Sequence, residues 1–203
     1  MKKPKLRELL EAIKALLKGP YTSRFPYEPH TPPPNFRGKP QFYKDDCIGC
    51  GACAEVCPAD AIDVTEITDA KPPVRKFELH YDRCIFCGHC ELNCTTEKGV
   101  RLSQVYDLAT FDLAGCVETV EKELVLCEVC GAVVAPKDQL RWIARKVKAK
   151  KYANPNLIRI SQEELGLVRG LGPRPEIVLE RSDVMRILCQ KCRREVIVRE
   201  IWG

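Results

Sequence analysis

No stretch of the 203-residue chain approaches the ~18 consecutive apolar residues of a membrane span. Its opening, MKKPKLRELLEAIKALLKG, scatters charge where a secretory signal keeps an unbroken apolar core. No hydrolytic triad, phosphate loop or dinucleotide fingerprint is present, which argues against the commonest hydrolytic and nucleotide-dependent chemistries. Asparagine (Asn35, Asn93, Asn154, Asn156) and glutamine (Gln41, Gln104, Gln139, Gln162, Gln190) are scarce while charged residues reach 30%, a balance that suits a heat-adapted protein. The net charge of +5 points to no particular partner. Cysteine is the opposite case, with thirteen. Without an export signal, so many thiols predict a soluble intracellular chain that binds metal rather than a disulfide scaffold.

Eight of the thirteen fall in two copies of one phrase, DDCIGCGACAEVCPADAI and DRCIFCGHCELNCTTEKGV. Cys47, Cys50, Cys53 and Cys57 recur 37 residues later as Cys84, Cys87, Cys90 and Cys94. A C-x2-C-x2-C turn wraps three sulfurs around one cubane, and the fourth cysteine sits too far along to close the same cube. The pattern resembles that of two-cluster bacterial ferredoxins, where the fourth cysteine crosses to the other cluster. That resemblance implies one 4Fe–4S cluster on Cys47, Cys50, Cys53 and Cys94, and a second on Cys84, Cys87, Cys90 and Cys57. The alternative, two four-cysteine zinc sites, fits poorly, because zinc prefers paired C-x2-C knuckles separated by a longer segment. Gly49, Gly51 and Gly88 are expected to let the backbone approach the clusters, and Ile48, Ile62, Ile85 and Val100 to shield them. Each half is expected to form a cluster loop, a short helix and a short strand, together an α+β ferredoxin fold over residues 41–106. One departure stands out: Thr95 follows Cys94 where Pro58 follows Cys57, and TTEKGV is one residue longer than PADAI. This puts the geometry, hydrogen bonding and potential of that loop in question. His89 lies between ligands and reads as a surface side chain.

Two further knuckles, Cys127-x2-Cys130 and Cys189-x2-Cys192, have 58 residues between them. They predict a zinc-ribbon-like domain over residues 123–203, with zinc as the structural ion and a rubredoxin-like iron as its rival. Residues 107–122 read as a connector. Within the last domain, ELVLCEVCGAVVA predicts strand, knuckle, strand. A basic helix is expected from near Pro136, carrying Lys137, Arg141, Arg145, Lys146, Lys148, Lys150 and Lys151. A second helix is expected from a Ser161–Glu164 capping box to Gly170, and a final alternating strand through DVMRILCQKCRREVIVREIW. Cys116 is left over and reads as a buried free thiol. The basic helix also admits nucleic-acid binding, although the acidic residues around it dilute its field.

Residues 1–40 form an arm. Leu6, Leu9, Leu10, Ile13, Leu16 and Leu17 recur at helical spacing over residues 4–18 and end at Gly19-Pro20. The proline-rich PYTSRFPYEPHTPPPNFRGKP that follows should be extended, laid along a partner by its aromatics. The helix should dock on a partner subunit or a membrane surface.

The run PNFRGKPQFYKDDCIGCGACAEVCPADAI, then DRCIFCGHCELNC, then RLSQVYDLATFD, resembles the ferredoxin-like subunit of formate hydrogenlyase and related membrane-bound nickel–iron hydrogenases. It is also similar to the two-cluster subunit of respiratory complex I, whose cluster domain likewise follows an arm ending in an RG motif, here Arg37-Gly38. The later cysteine knuckles look like the C-terminal extension of the formate hydrogenlyase form. The resemblance implies a non-catalytic electron-transfer subunit in the peripheral arm of a membrane-anchored complex, on the cytoplasmic face. Its neighbours would be a small cluster-bearing subunit and a nickel–iron-hydrogenase-like large subunit. The donor would be a formate dehydrogenase module or a soluble ferredoxin. A free-standing ferredoxin-type carrier is the alternative; it would have no need of the arm.

Overall fold

The computed structural model describes residues 5–168 and 180–202. The chain divides into a unit of residues 1–36 and a unit of residues 37–203. In the first, α1 (Leu6–Lys18) begins where the Lys5 amide donates to the Glu8 carboxylate at 3.0 Å. It ends where Gly19, at φ 76°, donates to the Ala15 carbonyl. Its apolar residues, Leu6, Leu9, Leu10, Ile13, Leu16 and Leu17, are all exposed. Residues 19–36 form turns without regular secondary structure.

The second unit is built on one repeat. The first copy runs β1 (Pro40–Phe42), cysteine loop, α2 (Ala52–Glu55), β2 (Ile62–Ile67). The second runs β3 (Val74–His80), cysteine loop, α3 (His89–Leu92), β4 (Val100–Leu102). The strand that enters each copy pairs antiparallel with the strand that leaves the other: β1 with β4, and β3 with β2. This exchange interlocks the halves and turns both cysteine loops onto one apolar face. Arg37-Gly38 leads into β1 with so little room that a Cβ on Gly38 would lie 2.3 Å from the Ser103 carbonyl oxygen, a contact only glycine avoids.

The sheet does not stop at the repeat. Its order is β2-β3-β5-β6, with β5 (Val117–Leu126) along β3 from His80↔Val117 to Val74↔Glu123, and β6 (Val133–Pro136) along β5. The segment expected to connect two domains therefore contributes a strand from Val117 onward. Its period-2 pattern was hard to read because Glu118 and Lys122 occupy inward positions alongside Val120 and Leu124. Ile62, Phe77, Leu79, Tyr81 and Val120 form the first core, on which Cys47, Cys53, Cys90 and Cys116 pack.

The basic helix is present as α4 (Lys137–Val147), starting directly after Pro136. It packs on α5 (Pro155–Glu164) through Leu140, Ala144, Leu157 and Ile160. The second helix thus begins earlier than expected. Asn154 caps it, its side-chain oxygen accepting the Asn156 amide at 3.0 Å, and Pro155 fills the first turn. Ser161 lies inside it and opens no helix; Gly170 lies outside the described residues. The expected final strand is instead α6 (Gln190–Trp202). REVIVREI alternates as a strand would, but Cys192 and Val196, one helical turn apart, are the buried pair, packed with Cys127 and Leu188. Short apolar runs of this kind satisfy both periods.

Because Phe77 is fully buried at the centre of the first core, Phe77→Ala should cost about 3–5 kcal/mol. Val64→Ala, at a 41%-exposed site on the same sheet, should cost far less. Urea midpoints of the anaerobically prepared proteins check this; equal losses would contradict the core assignment.

Candidate metal centres

The two cysteine loops share a backbone as well as a sequence. Gly49 and Phe86, Gly51 and Gly88, Asp60 and Glu97 form three pairs 37 residues apart, and all six are left-handed. Phe86 and the two acidic residues adopt φ values of 49–61°, which L side chains seldom do. The extra residue of the second copy therefore falls after Glu97, at Lys98-Gly99.

Two cavities result. One, of about 320 Å³ to its open mouth, is lined by Cys47, Cys50, Cys53 and Cys94 with Ile48, Phe77 and Val100. The other, of about 360 Å³, is lined by Cys57, Cys84, Cys87 and Cys90 with Ile62, Leu79 and Leu102. Each cavity gathers three cysteines of one copy and the fourth of the other. Ile48, Ile62 and Val100 are buried; Ile85 lines the second cavity but is 61% exposed, and His89 is exposed at the same rim. Cys116 is half-buried against the first core, its carbonyl accepting the Tyr81 amide at 2.8 Å.

The electrostatics suit a metal group. Burial, and then neighbouring Cys47, Cys50 and Cys90, push the Cys53 thiol up to about 12. Burial pushes Cys90 up to about 11 and raises Cys47 and Cys84 as well. Thiolates are favourable in such a place only when a positive metal centre balances them. Cys94 differs: burial opposes its ionisation, but the Thr96 hydroxyl and the amides of Thr96, Val100 and Gly99 outweigh it and lower its pKa. Sulfur also accepts from the Ala61 amide at Cys57, 3.3 Å, and from the Phe86 amide at Cys84, 3.4 Å.

Side chains from outside the motifs hold the loops. Arg75 donates to the Gly49 carbonyl at 2.9 Å while paired with Glu66. Arg37 donates to the Cys87 carbonyl at 3.3 Å. Lys122, almost fully buried, donates to the Lys44 carbonyl and pairs with Asp138 at 3.0 Å. The Tyr81 hydroxyl lies between the Pro40 carbonyl at 2.9 Å and the Glu118 carboxylate, and burial, reinforced by Glu118, pushes its pKa up. None of these roles was visible in the cysteine pattern.

In the C-terminal half, Cys127, Cys130, Cys189 and Cys192 bring their four sulfurs within 4.8 Å of one another. Gly131, left-handed at φ 72°, turns the first knuckle. Burial opposes ionisation of Cys127, but the amides of Cys130, Cys189 and Val129 outweigh it and bring the thiol to about 7. Four converging thiols, one already inclined to ionise, fit a tetrahedral metal ion. The second knuckle is fixed by Asn156, which sequence reading missed. Its amide donates to the Leu188 carbonyl at 3.0 Å, and its side-chain oxygen accepts from the Leu188 amide at 3.1 Å and from Arg193 at 2.6 Å. On α4, Lys137, Arg141 and Arg145 are engaged with the carboxylates of Glu123 and Glu163, Asp138, and Glu164.

The interlocked repeat and its two four-cysteine cavities define a ferredoxin-type iron–sulfur protein. The family model for the 4Fe–4S dicluster domain matches residues 46–98. The chain is 32% identical over 114 residues to NADH-quinone oxidoreductase subunit I 2 of Geobacter metallireducens, covering 53% of this chain and 86% of that protein. It is 36% identical over 137 residues to formate hydrogenlyase subunit 6 of Escherichia coli, covering 67% and 74%. A chain in the structure of the membrane-bound sulfane sulfur reductase, an archaeal respiratory membrane complex, is 35% identical with a TM-score of 0.39, covering 55% of this chain and 59% of that one. The chain belongs to the 4Fe–4S dicluster family of electron-transfer subunits that contains NADH-quinone oxidoreductase subunit I and formate hydrogenlyase subunit 6.

Leu188 is buried, so Asn156→Ala strands both its amide and its carbonyl. The expected cost is about 2–4 kcal/mol, two unsatisfied groups at roughly 1–2 each. A metal ion loaded onto these four cysteines should also pass faster to a colorimetric chelator. An unchanged release rate would contradict a clamping role for Asn156.

Proposed function

We propose that the chain relays single electrons through two 4Fe–4S clusters with crossed ligation. Cys47, Cys50, Cys53 and Cys94 hold one cluster; Cys84, Cys87, Cys90 and Cys57 hold the other. The observation that carries this reading is the pair of cavities, each lined by three cysteines of one copy and the fourth of the other. When bound, the clusters supply reversible one-electron redox capacity. The chain's own residues hold them as thiolates, keep water from their inner faces with Phe77, Leu79 and Val100, and fix the charge around them.

The setting is the peripheral arm of a membrane-bound oxidoreductase complex of the hydrogenase, formate hydrogenlyase or complex I type, on the inner face of the cell membrane. Among the described residues, no helix is long and apolar enough to cross a membrane, so attachment runs through other subunits. The exposed apolar stripe of α1 supports docking there. A small cluster-bearing subunit and a nickel–iron-hydrogenase-like large subunit are the proposed neighbours, with a formate dehydrogenase module or a soluble ferredoxin as electron source. The third site holds one zinc ion on Cys127, Cys130, Cys189 and Cys192. It closes the ribbon-like C-terminal half, where α4 and α5 lie between the knuckles.

Serine variants test the crossing by electron paramagnetic resonance of the reduced protein. Cys94→Ser and Cys50→Ser should alter one and the same signal, and Cys57→Ser and Cys87→Ser the other. If Cys94→Ser and Cys87→Ser share a signal, each motif holds its own cluster and the crossing is wrong.

A further inference from the structure

The two copies repeat their backbone contacts but not their polar ones. Amides meet the first cysteine of each loop alike: Gly49 at Cys47 and Phe86 at Cys84. The residues after the fourth cysteine differ. Pro58 and Ala59 follow Cys57 and carry no donor side chain, whereas Thr95 and Thr96 follow Cys94. The Thr95 hydroxyl lies 3.2 Å from Cys50 Sγ. A ligating thiolate has no proton to give, so the hydroxyl is the donor. The Thr96 hydroxyl lies between Cys94 Sγ at 3.5 Å and the Asp46 carbonyl at 3.0 Å and shares its one proton between them. Thr95 thus adds a hydrogen bond to the first site that the second lacks.

Strand β5 adds an unequal field. Lys122 packs its stem on the first loop, where a Cβ on Gly49 would sit 3.0 Å from Lys122 Cβ, and it is only 6% exposed. Its partner Asp138 is 41% exposed and also faces Arg141 at 3.6 Å, so the trio keeps a net positive charge. Four residues earlier on the same face, about 13 Å away, half-buried Glu118 meets Tyr81, whose hydroxyl also holds the Pro40 carbonyl at the wall of the second cavity. Lys39 lies 5.1 Å from the centroid of the Tyr81 ring and offsets Glu118 there, which leaves the second site near balance against the net positive trio at the first. Arg75, paired with Glu66, grips one loop, and Arg37, exposed, grips the other. Asp46 beside Cys47 and Arg83 beside Cys84 act in the opposite sense, but both are exposed, and Arg83 is paired with Asp63 at 2.6 Å. Solvent screens exposed charges and leaves buried ones strong.

We infer that the two cluster sites are unequal by construction. The site of Cys47, Cys50, Cys53 and Cys94 is the station of higher potential, set there by Thr95 and Lys122, and the electron rests on it. Hydrogen bonds to sulfur and nearby positive charge both favour the reduced, more negative state. One electron passes from the second site to the first: the second is oxidised, the first reduced, and no bond is made or broken. This inference rests on the two-cluster reading.

The test is an anaerobic redox titration of the full cluster-loaded chain, followed by paramagnetic resonance, with iron and sulfide measured on every sample. Wild type should show two midpoints, with Cys94→Ser perturbing the centre of higher potential. Thr95→Val, an exposed isosteric change that should not disturb folding, and Lys122→Met should each lower that midpoint and leave the other in place. For Lys122→Met the expected change in the reduction equilibrium is about tenfold, roughly 59 mV for one electron. Thr95→Ser and Lys122→Arg should restore it. Substitutions that leave the higher midpoint in place, or move the lower one, would overturn the ordering while the two-cluster reading stands. A single midpoint in wild type with about eight iron per chain would overturn the ordering alone, whereas a single midpoint with about four iron would overturn the two-cluster reading and the ordering with it.

Discussion

Thiolate burial against an apolar sheet governs this molecule. Cys47, Cys53 and Cys90 pack on a core of Phe77, Leu79, Ile62 and Val120, and burial drives Cys53 and Cys90 toward the protonated form. Ionised sulfur is favourable there only beside a compensating cation. Folding of the loops and loading of the metal are therefore one process. The left-handed residues at equivalent places in both copies fix the turns that aim the sulfurs inward. Where a bulky residue, Phe86, occupies such a place, the rest of the loop must hold it there against its own preference.

Strand β5 joins the parts. Its hydrogen bonds to β3 extend the repeat's own hairpin, and its bonds to β6 carry the sheet into the first C-terminal knuckle. Its inward side chains tie the repeat at two places: Lys122 donates to the Lys44 carbonyl beside the first cysteine loop, and Glu118 accepts from the Phe42 amide and the Tyr81 hydroxyl. Lys122 in turn meets Asp138 at the start of α4. The C-terminal half is thus structurally continuous with the loop that carries Cys47, Cys50 and Cys53. Loss of order around Cys127 would be felt at Lys44 and Gly49 through one strand and one ion pair.

The cysteines could be read from spacing because ligation chemistry dictates spacing. The 37-residue repeat, the short helices and strands of each copy, α1 and the start of α4 at Pro136 were legible for similarly local reasons: period, cap and proline. What escaped was tertiary. The strand expected in ELVL is the second half of β5; its first half, Val117–Lys122, hid because the inward face there carries Glu118 and Lys122, whose partners lie far away in sequence. α6 was read as a strand because REVIVREI satisfies a two-residue period, and only its packing on Cys127 and Leu188 selects the helix. Asn154 outcompeted Ser161 as a helix start because Asn154-Pro155 supplies both the cap and the first-turn geometry. Asn156 and Arg75 act on backbone atoms 32 and 26 residues away, and no single-sequence signal marks such contacts. Thr95, noticed only as a missing proline, proved to offer a hydroxyl to sulfur.

Elemental analysis of the chain purified without oxygen counts its metal directly. About eight iron and eight acid-labile sulfide per chain, with about one zinc, is the expected composition for two cubanes and a four-thiolate site. About nine iron without zinc would place a rubredoxin-like iron on Cys127, Cys130, Cys189 and Cys192. A reproducible value near four iron, with no sign of cluster loss, would contradict the account, because one of the two four-cysteine cavities would then not hold a cubane.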